Sequence, residues 1–196
     1  MNAQHAPTRR PDCGFSLIEL LVVTSLIVIV SAIAVPLMTN AADAIKLSQS
    51  ARGVEREMQT ARLRAVSANQ AMRLRFDCPA AKQYRMVELV GTPSVPAAAD
   101  SAANRCSLSN YQFPAPDNNM LTRPNNDGPL REVDSSVSFT QAATVEFWPD
   151  GTAHTNNGGV NPWPAIPSPG ANIILSRNGK TRTILVNSVG KVQLLP

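Results

Sequence analysis

An apolar run near the N-terminus constrains this chain most. From Phe15 to Met38 there are 24 residues whose only charge is Glu19. As a helix rising ~1.5 Å per residue, the run is ~36 Å long, which exceeds the ~30 Å of a hydrocarbon core. The sequence therefore predicts a membrane-spanning helix over residues 15–38. Glu19 is unusual there, because a carboxylate inside a bilayer costs roughly 2.5–3.5 kcal/mol and commonly has a function and a partner.

Two ordinary interpretations of this run are open. A cleaved secretory signal is compatible with the basic residues Arg9 and Arg10 and with the small residues Ala32 and Ala34. However, the run is longer than the roughly 7–15 apolar residues of a signal peptide, and it contains a carboxylate. A plain uncleaved anchor explains the length, but it leaves Glu19 without a role.

A third interpretation is cleavage between Gly14 and Phe15. It would remove a short basic leader, keep the whole apolar helix and create an α-amine one helical turn from Glu19. The stretch Gly14-Phe15-Ser16-Leu17-Ile18-Glu19, followed by an apolar helix with Pro36, resembles the class III leader of type IV pilins and type II secretion pseudopilins. The resemblance implies that a prepilin peptidase cleaves the chain and N-methylates Phe15. It also implies that Glu19 aligns or neutralises the terminal amine of a neighbouring subunit during filament assembly.

These features predict three segments. Residues 1–14 are a cleaved leader, residues 15–38 a transmembrane and assembly helix, and residues 39–196 a globular domain. Positive charge before the span keeps the N-terminus in the cytoplasm, so the C-terminal domain would lie in the periplasm. We therefore expect a single-pass protein of the inner membrane, in contact with its lipid, that is incorporated into a periplasmic or surface filament.

Cysteine and histidine usage limits the chemistry of the mature chain. Cys13 would leave with the leader, and the pair Cys78 and Cys106 would remain in an oxidising compartment. We predict a disulfide between them, with two free structural thiols as the alternative. Only His154 would survive processing, so we expect no metal site, no cofactor and no catalytic cluster. The sequence does not predict an enzyme.

The fold expected for the domain is α+β. The helix should continue through Pro36 to about Asn69, because apolar residues recur at alternating steps of four and three. This seam comprises Leu47, Ala51, Val54, Met58, Ala61, Ala65, Ala68 and Met72. Its many alanines favour close packing of the helix on the chain's own sheet. We expect the arginines beside the seam to be solvated, namely Arg52, Arg56, Arg62 and Arg64.

Alternating and β-branched residues predict a β-rich remainder. The predicted strands are Met72–Phe76, Tyr84–Val90, Val133–Phe139, Thr144–Trp148, Ala171–Ser176, Thr181–Val186 and a short terminal strand. Residues 91–130 are predicted to be an irregular excursion, and residues 154–170 a loop that carries Trp163. This tryptophan could be exposed in a binding site, but packing on its own loop is the default expectation. The turn Arg177-Asn178-Gly179-Lys180 is a strong hairpin signal.

Three further stretches resemble one subfamily, pseudopilin H of type II secretion and its pilus relative FimT. They are Ala61–Val66, then Val145–Phe147 with Asp150-Gly151-Thr152, and finally Asn178–Arg182 with the Gly190-Lys191-Val192 ending. The resemblance implies a long N-terminal helix packed on antiparallel β-sheets, which is the pilin fold.

FimT-type pilins bind DNA through a C-terminal G-R-x-R motif. The corresponding residues here are Gly179, Lys180, Thr181 and Arg182, with lysine in place of the first arginine. Residues 151–196 hold four basic residues and no acid, so a hairpin tip with Arg177, Lys180 and Arg182 could hold phosphates without reading bases. The alternative is a solvated hairpin turn.

The sequence thus favours a minor pilin-like subunit of a type II secretion pseudopilus, which supports the filament that drives protein secretion across the outer membrane. The alternative is a FimT-like minor pilin of a type IV pilus that binds DNA for uptake. The partners implied are other pilin or pseudopilin subunits, a prepilin peptidase and, in the alternative, DNA.

Overall fold

The computed structural model describes residues 16–89, 91–92, 95–96, 106, 126–156 and 162–195. The expected cleavage site between Gly14 and Phe15, Cys13 and most of the 91–130 excursion lie outside these residues. The chain divides into two compact units, residues 1–42 and residues 43–196. The boundary falls four residues after Met38, close to the end of the predicted membrane segment.

One helix, α1, runs over Leu17–Ala68 with Pro36 inside it. Its end agrees with the sequence prediction and has a specific cause. Asn69 adopts a left-handed φ of 52°, and its N–H donates to Val66 O at 3.4 Å. The N–H of Gln70 donates to Ala65 O at 3.2 Å, which completes a Schellman motif. Asparagine is one of the few residues that accept this conformation at low cost.

Within the described residues, eleven strands follow the helix. They are β1 (Met72–Phe76), β2 (Gln83–Glu88), β3 (Gly91–Thr92), β4 (Val95–Pro96), β5 (Arg131–Glu132), β6 (Ser138–Ala142), β7 (Val145–Phe147), β8 (Ala153–Thr155), β9 (Ala171–Arg177), β10 (Lys180–Val186) and β11 (Val192–Leu195). They form a five-stranded sheet in the order β5-β2-β1-β7-β8 and a four-stranded sheet in the order β11-β10-β9-β6, with β3 and β4 as a separate pair. All described pairings are antiparallel.

The helix and both larger sheets share one core. The predicted seam is confirmed on α1, where Leu47, Val54 and Met58 are buried. The alanines of the seam, Ala51, Ala61 and Ala65, are fully buried, so their small side chains let the sheets approach the helix closely. The sheets contribute Met72, Leu74, Tyr84, Met86, Val145, Phe147, Ile173, Leu175, Ile184 and Val186 to the same cluster. The α+β fold class is confirmed.

One strand prediction and one loop prediction were wrong. Residues 133–139 are not one strand, because β5 ends at Glu132 and β6 begins at Ser138. Val133 and Val137 are nevertheless buried, which produced the apolar signal, while a turn between them moves the chain from one sheet to the other. The predicted 154–170 loop overlaps a strand, since β8 spans Ala153–Thr155 and pairs with β7. Three residues are too few for alternation to be recognised.

Candidate functional sites

The N-terminal part of α1 is built to face an apolar solvent. Its large apolar side chains from Leu17 to Met38 are exposed in the structure, and an 18-residue window of the helix has a mean hydropathy of 2.7. Two of its hydroxyl groups bond within the helix, since Thr24 Oγ1 donates to Leu20 O at 2.9 Å and Ser25 Oγ donates to Val22 O at 2.8 Å. By length and composition, this helix could cross a membrane.

Both candidate assembly residues lie in this segment. Glu19 is the acidic residue of the first helical turn, where the helix dipole favours negative charge. Pro36 lies inside α1 without ending it, as the sequence predicts, and its carbonyl accepts a hydrogen bond from Thr39 Oγ1 at 3.0 Å. Residues 9–35 match the protein family described as the prokaryotic N-terminal methylation motif. This is a prepilin-type N-terminus.

The chain that follows this prepilin-type N-terminus has similar folds among solved structures. The type IV minor pilin FimU of Pseudomonas aeruginosa is 16% identical, with 76% of this chain and 93% of that chain covered and a TM-score of 0.42. A second crystal form of FimU gives 15% identity, coverage of 79% and 91%, and a TM-score of 0.44. The minor pseudopilin EpsH from the Type 2 Secretion System of Vibrio cholerae is 10% identical, with coverage of 76% and 96% and a TM-score of 0.43. No curated protein matches the sequence. The chain therefore combines this N-terminal motif with one long helix packed on antiparallel sheets.

The predicted basic hairpin is present, and its tip forms ion pairs with aspartate side chains. Asn178 and Gly179 form the turn with φ values of 47° and 76°, as in a type I′ hairpin. Arg177 donates from Nε to Asp43 Oδ1 at 2.8 Å and from Nη1 to Asp134 Oδ1 at 3.1 Å. Only 9% of its side chain is exposed. The expectation of no nearby acid was therefore wrong, because residues distant in sequence supply both carboxylates.

The acids at this tip are held in their ionised form. Hydrogen bonds from Asn178 and Arg177 lower the pKa of Asp43 below its usual value. Hydrogen bonds from the Ser136 hydroxyl and backbone N–H lower the pKa of Asp134. Lys180 and Arg182 follow on β10, where Lys180 pairs with Arg177 and Arg182 pairs with Leu175 across the ladder. The three candidate cations thus lie together, but Arg177 is largely neutralised by its carboxylate partners.

Arg62 joins the helix to two turns, which the sequence did not predict. Its Nε donates to Gly151 O at 3.1 Å, and its Nη2 donates to Val189 O at 3.1 Å. Gly151 belongs to the turn between β7 and β8, and Gly190 belongs to the turn before β11. One arginine therefore fixes turns from both sheets.

Arg64 is also structural, because its Nη1 donates to Asn126 O at 3.0 Å. The expectation that all four helix arginines are solvated was therefore wrong for Arg62 and Arg64. It is confirmed for Arg52 and Arg56, which are exposed.

A polar row lies on the face of the five-stranded sheet opposite the helix. Arg73 and Glu146 are paired across β1 and β7, and Arg73 Nε donates to Glu146 Oε1 at 2.8 Å. The Arg73 guanidinium lies 4.2 Å from the Trp163 ring centroid. Trp163 is 8% exposed, so it is packed and not exposed in the loop. His154 is buried, and its Nδ1 lies 2.8 Å from Trp163 O. This row fastens the 162–170 segment to the sheet.

Cys78 and Cys106 form a disulfide with their Cα atoms 5.7 Å apart, as the sequence predicts. Arg85 secures the same region, because its Nε donates to Gly128 O at 2.7 Å and its Nη1 to Cys106 O at 3.2 Å. Among the residues that the structure describes, no three His, Cys, Asp or Glu side chains are grouped to hold a metal.

Proposed function

We propose that this chain is a minor pilin-like subunit of a type II secretion pseudopilus that supports assembly of the secretion filament. The observation that carries the proposal is the prepilin-type motif over residues 9–35, ahead of an exposed apolar helix that continues into an α+β unit. In this proposal, cleavage between Gly14 and Phe15 creates a new α-amine on Phe15, and this amine is then methylated. The apolar helix holds the subunit in the inner membrane, with the C-terminal unit in the periplasm, until it joins other subunits.

Glu19 is the proposed assembly residue, with Pro36 shaping the helix that packs between subunits. A carboxylate in the first turn of a membrane helix needs a cationic partner to offset its desolvation. The α-amine of a neighbouring subunit would supply that charge. The proposal explains why an otherwise uncharged 24-residue run contains a single acid.

The second candidate is a FimT-like minor pilin that captures DNA for uptake. It is supported by Lys180 and Arg182 on one strand, in a C-terminal stretch of residues 151–196 that contains no acid. The ion pairs of Arg177 with Asp43 and Asp134 count against it, since they remove one of the three candidate cations from phosphate binding. For this reason the secretion pseudopilus remains our proposal.

Mass spectrometry of the intact protein extracted from membranes tests the processing step. We expect the loss of residues 1–14 and the gain of one methyl group. In the same cells, Glu19→Ala should insert into the membrane normally but should fail to enter filaments. Glu132→Ala, which removes an exposed carboxylate on β5, is the matched control and should assemble normally. An unprocessed N-terminus, or normal assembly of Glu19→Ala, would contradict the proposal.

A DNA titration of the full chain in detergent micelles separates the two candidates. Binding that weakens with added salt and is lost in Lys180→Ala/Arg182→Ala would favour the DNA-uptake pilus. Absence of binding at low salt would favour the secretion pseudopilus.

A further inference from the structure

A groove runs between the exposed side of α1 and the edge strand β11. Two adjoining cavities form it, with volumes of about 380 Å³ and about 270 Å³, and both are lined by Gln59. The first also contacts Arg52, Arg56 and Leu194, and the second contacts Leu63 and the residues from Gly190 to Val192. We call it the α1–β11 groove.

The helix and the strand border this groove in opposite directions. Moving along α1 from Arg52 to Leu63, the facing residues of the second wall run back from Leu194 to Gly190. The helical wall is ~16 Å long at ~1.5 Å per residue. On the second wall, Val192 and Leu194 belong to β11, and Gly190 and Lys191 precede it. The groove therefore accommodates a short extended segment beside Val192 and Leu194.

The strand wall offers backbone hydrogen bonds. β11 is the edge of its sheet, and β10 is its single strand partner among the described residues. An edge strand presents a row of N–H and C=O groups to which an extended peptide can add as a further strand. Such addition supplies affinity through the main chain and leaves the alternate side chains to supply specificity.

The helical wall supplies charge. Arg52 and Arg56 are exposed, and within the described part of the chain their guanidinium groups form no ion pair. They lie one helical turn apart, which is ~6 Å along the axis. Alternate side chains of a β-strand are ~6.7 Å apart on the same face, so two acids at positions i and i+2 match the two arginines. Glu55 also lines this end of the groove, where Arg52 and Arg56 outnumber it. Lys191 adds a further positive charge along the groove, so positive charge predominates there.

The far end of the groove is apolar. Leu63 is 70% exposed and lies beside Val192, which leaves an apolar position after the two charged ones. The geometry points to a binding site for an extended acidic peptide segment that adds antiparallel to β11. Its two alternate carboxylates lie on Arg52 and Arg56, and an apolar residue at i+4 approaches Leu63. The segment would belong to a partner protein, and the site does not depend on which filament system the subunit serves.

Fluorescence anisotropy with the full chain in detergent micelles tests this site. The probe is a labelled peptide with the sequence Asp-Thr-Asp-Thr-Val-Thr, which places both acids and the valine on one face of a strand. We expect saturable binding that weakens with salt and falls at least about tenfold in Arg52→Ala/Arg56→Ala, since charged pairs dominate one end of the site. Lys180→Ala/Arg182→Ala removes two cations elsewhere and should change the affinity less than about twofold.

Two peptide controls separate the charge from the strand addition. Replacing both Asp residues by Asn keeps the shape and should abolish the salt dependence and most of the affinity. Methylating alternate backbone nitrogens keeps the charge and should weaken binding by removing main-chain donors. Equal binding of the methylated peptide would overturn strand addition, and no binding of the Asp peptide up to about 1 mM would overturn the site.

A thymidine hexanucleotide gives the last arm of the experiment. If its binding is lost in Arg52→Ala/Arg56→Ala and the Asp peptide does not displace it, the arginines hold phosphates and the proposed peptide partner is wrong. Because both arginines are exposed, the double variant should fold normally, and unchanged tryptophan fluorescence of the variant confirms that the result concerns binding.

Discussion

The arginines of this molecule fall into two groups that the sequence does not distinguish. Arg62 and Arg177 each hold turns or acids that are distant in sequence, through hydrogen bonds of 2.8–3.1 Å. Arg52 and Arg56, which lie on the same helix as Arg62, are exposed beside a groove. The difference teaches that a basic residue is available to a partner only where the fold brings it no carboxylate or carbonyl of its own.

The largest loss of stability should come from adding a side-chain atom beside Arg62. Gly190 has φ of 73°, and an added Cβ would lie 2.8 Å from Arg62 Nε and would overlap the Gly151 carbonyl oxygen. We expect Gly190→Ala to lower the free energy of unfolding by about 2–4 kcal/mol, through backbone strain and overpacking together. Urea unfolding in micelles, followed by the fluorescence of Trp148 and Trp163, measures this change.

Gly179→Ala is the matched control for that substitution. Gly179 has a similar φ of 76°, but nothing lies within 4 Å of its added Cβ. It should therefore cost only the backbone strain of about 1–2 kcal/mol. If both variants lose the same stability, the Arg62 contact does not confine the turn, and this arginine belongs with the exposed group.

A smaller, pH-dependent effect is expected at the hairpin tip. Arg177→Ala should lower Tm by about 2–4 °C at pH 7, because Asp43 and Asp134 lose their shared partner. The pKa of Asp43 is lowered in the folded state, so its contribution to stability is present above the unfolded pKa of 3.8 and is lost as the pH falls through the folded pKa. The difference in Tm between wild type and variant should therefore shrink below about pH 4.

Thermal unfolding at pH 3, 5 and 7 checks that sign. Arg182→Ala is the control, because this arginine lies on β10 near the tip and makes no described bond to either carboxylate. It should leave the acid dependence unchanged. A constant difference between Arg177→Ala and wild type across this range would show that the ion pair with Asp43 does not contribute to stability.

The smallest effect should be at the groove. Arg52→Ala/Arg56→Ala removes two exposed side chains, and alanine is at least as good a helix former as arginine. We expect the free energy of unfolding to change by less than about 0.5 kcal/mol in the same urea experiment. A loss above about 1 kcal/mol would mean that these arginines support the fold, and the contrast between the two groups would disappear.

The sequence predicted the elements whose signals are local. The helix end at Ala68, the buried seam from Leu47 to Ala65 and the Asn178-Gly179 hairpin follow from periodicity and turn chemistry. The seam held because each of its residues meets the same core. The prediction was wrong at residues 133–139, where two buried valines flank a turn between sheets, since burial without strand pairing produces the same apolar pattern.

The surroundings of the candidate site were harder to predict from the sequence than the secondary structure. The hairpin at residues 177–182 was located correctly, but its environment was not, because Asp43 lies 134 positions before Arg177 in the chain. The partner of Trp163 was not predicted for the same reason, since Arg73 lies on β1, far from Trp163 in the sequence. The burial of Glu57 on the helix was also not predicted. Its ion-pair partner Arg131, at 3.3 Å, is distant in the sequence.

The sequence by itself determined the apolar segment and the methylation motif near the N-terminus. A 24-residue apolar run with one acid behind a basic stretch can be recognised without any fold, because hydropathy and motif matching depend on consecutive residues. Only the tertiary structure decided which arginines are held and which border a groove. That distinction depends on contacts between residues about 90–130 positions apart, which folding brings together and which no local pattern encodes.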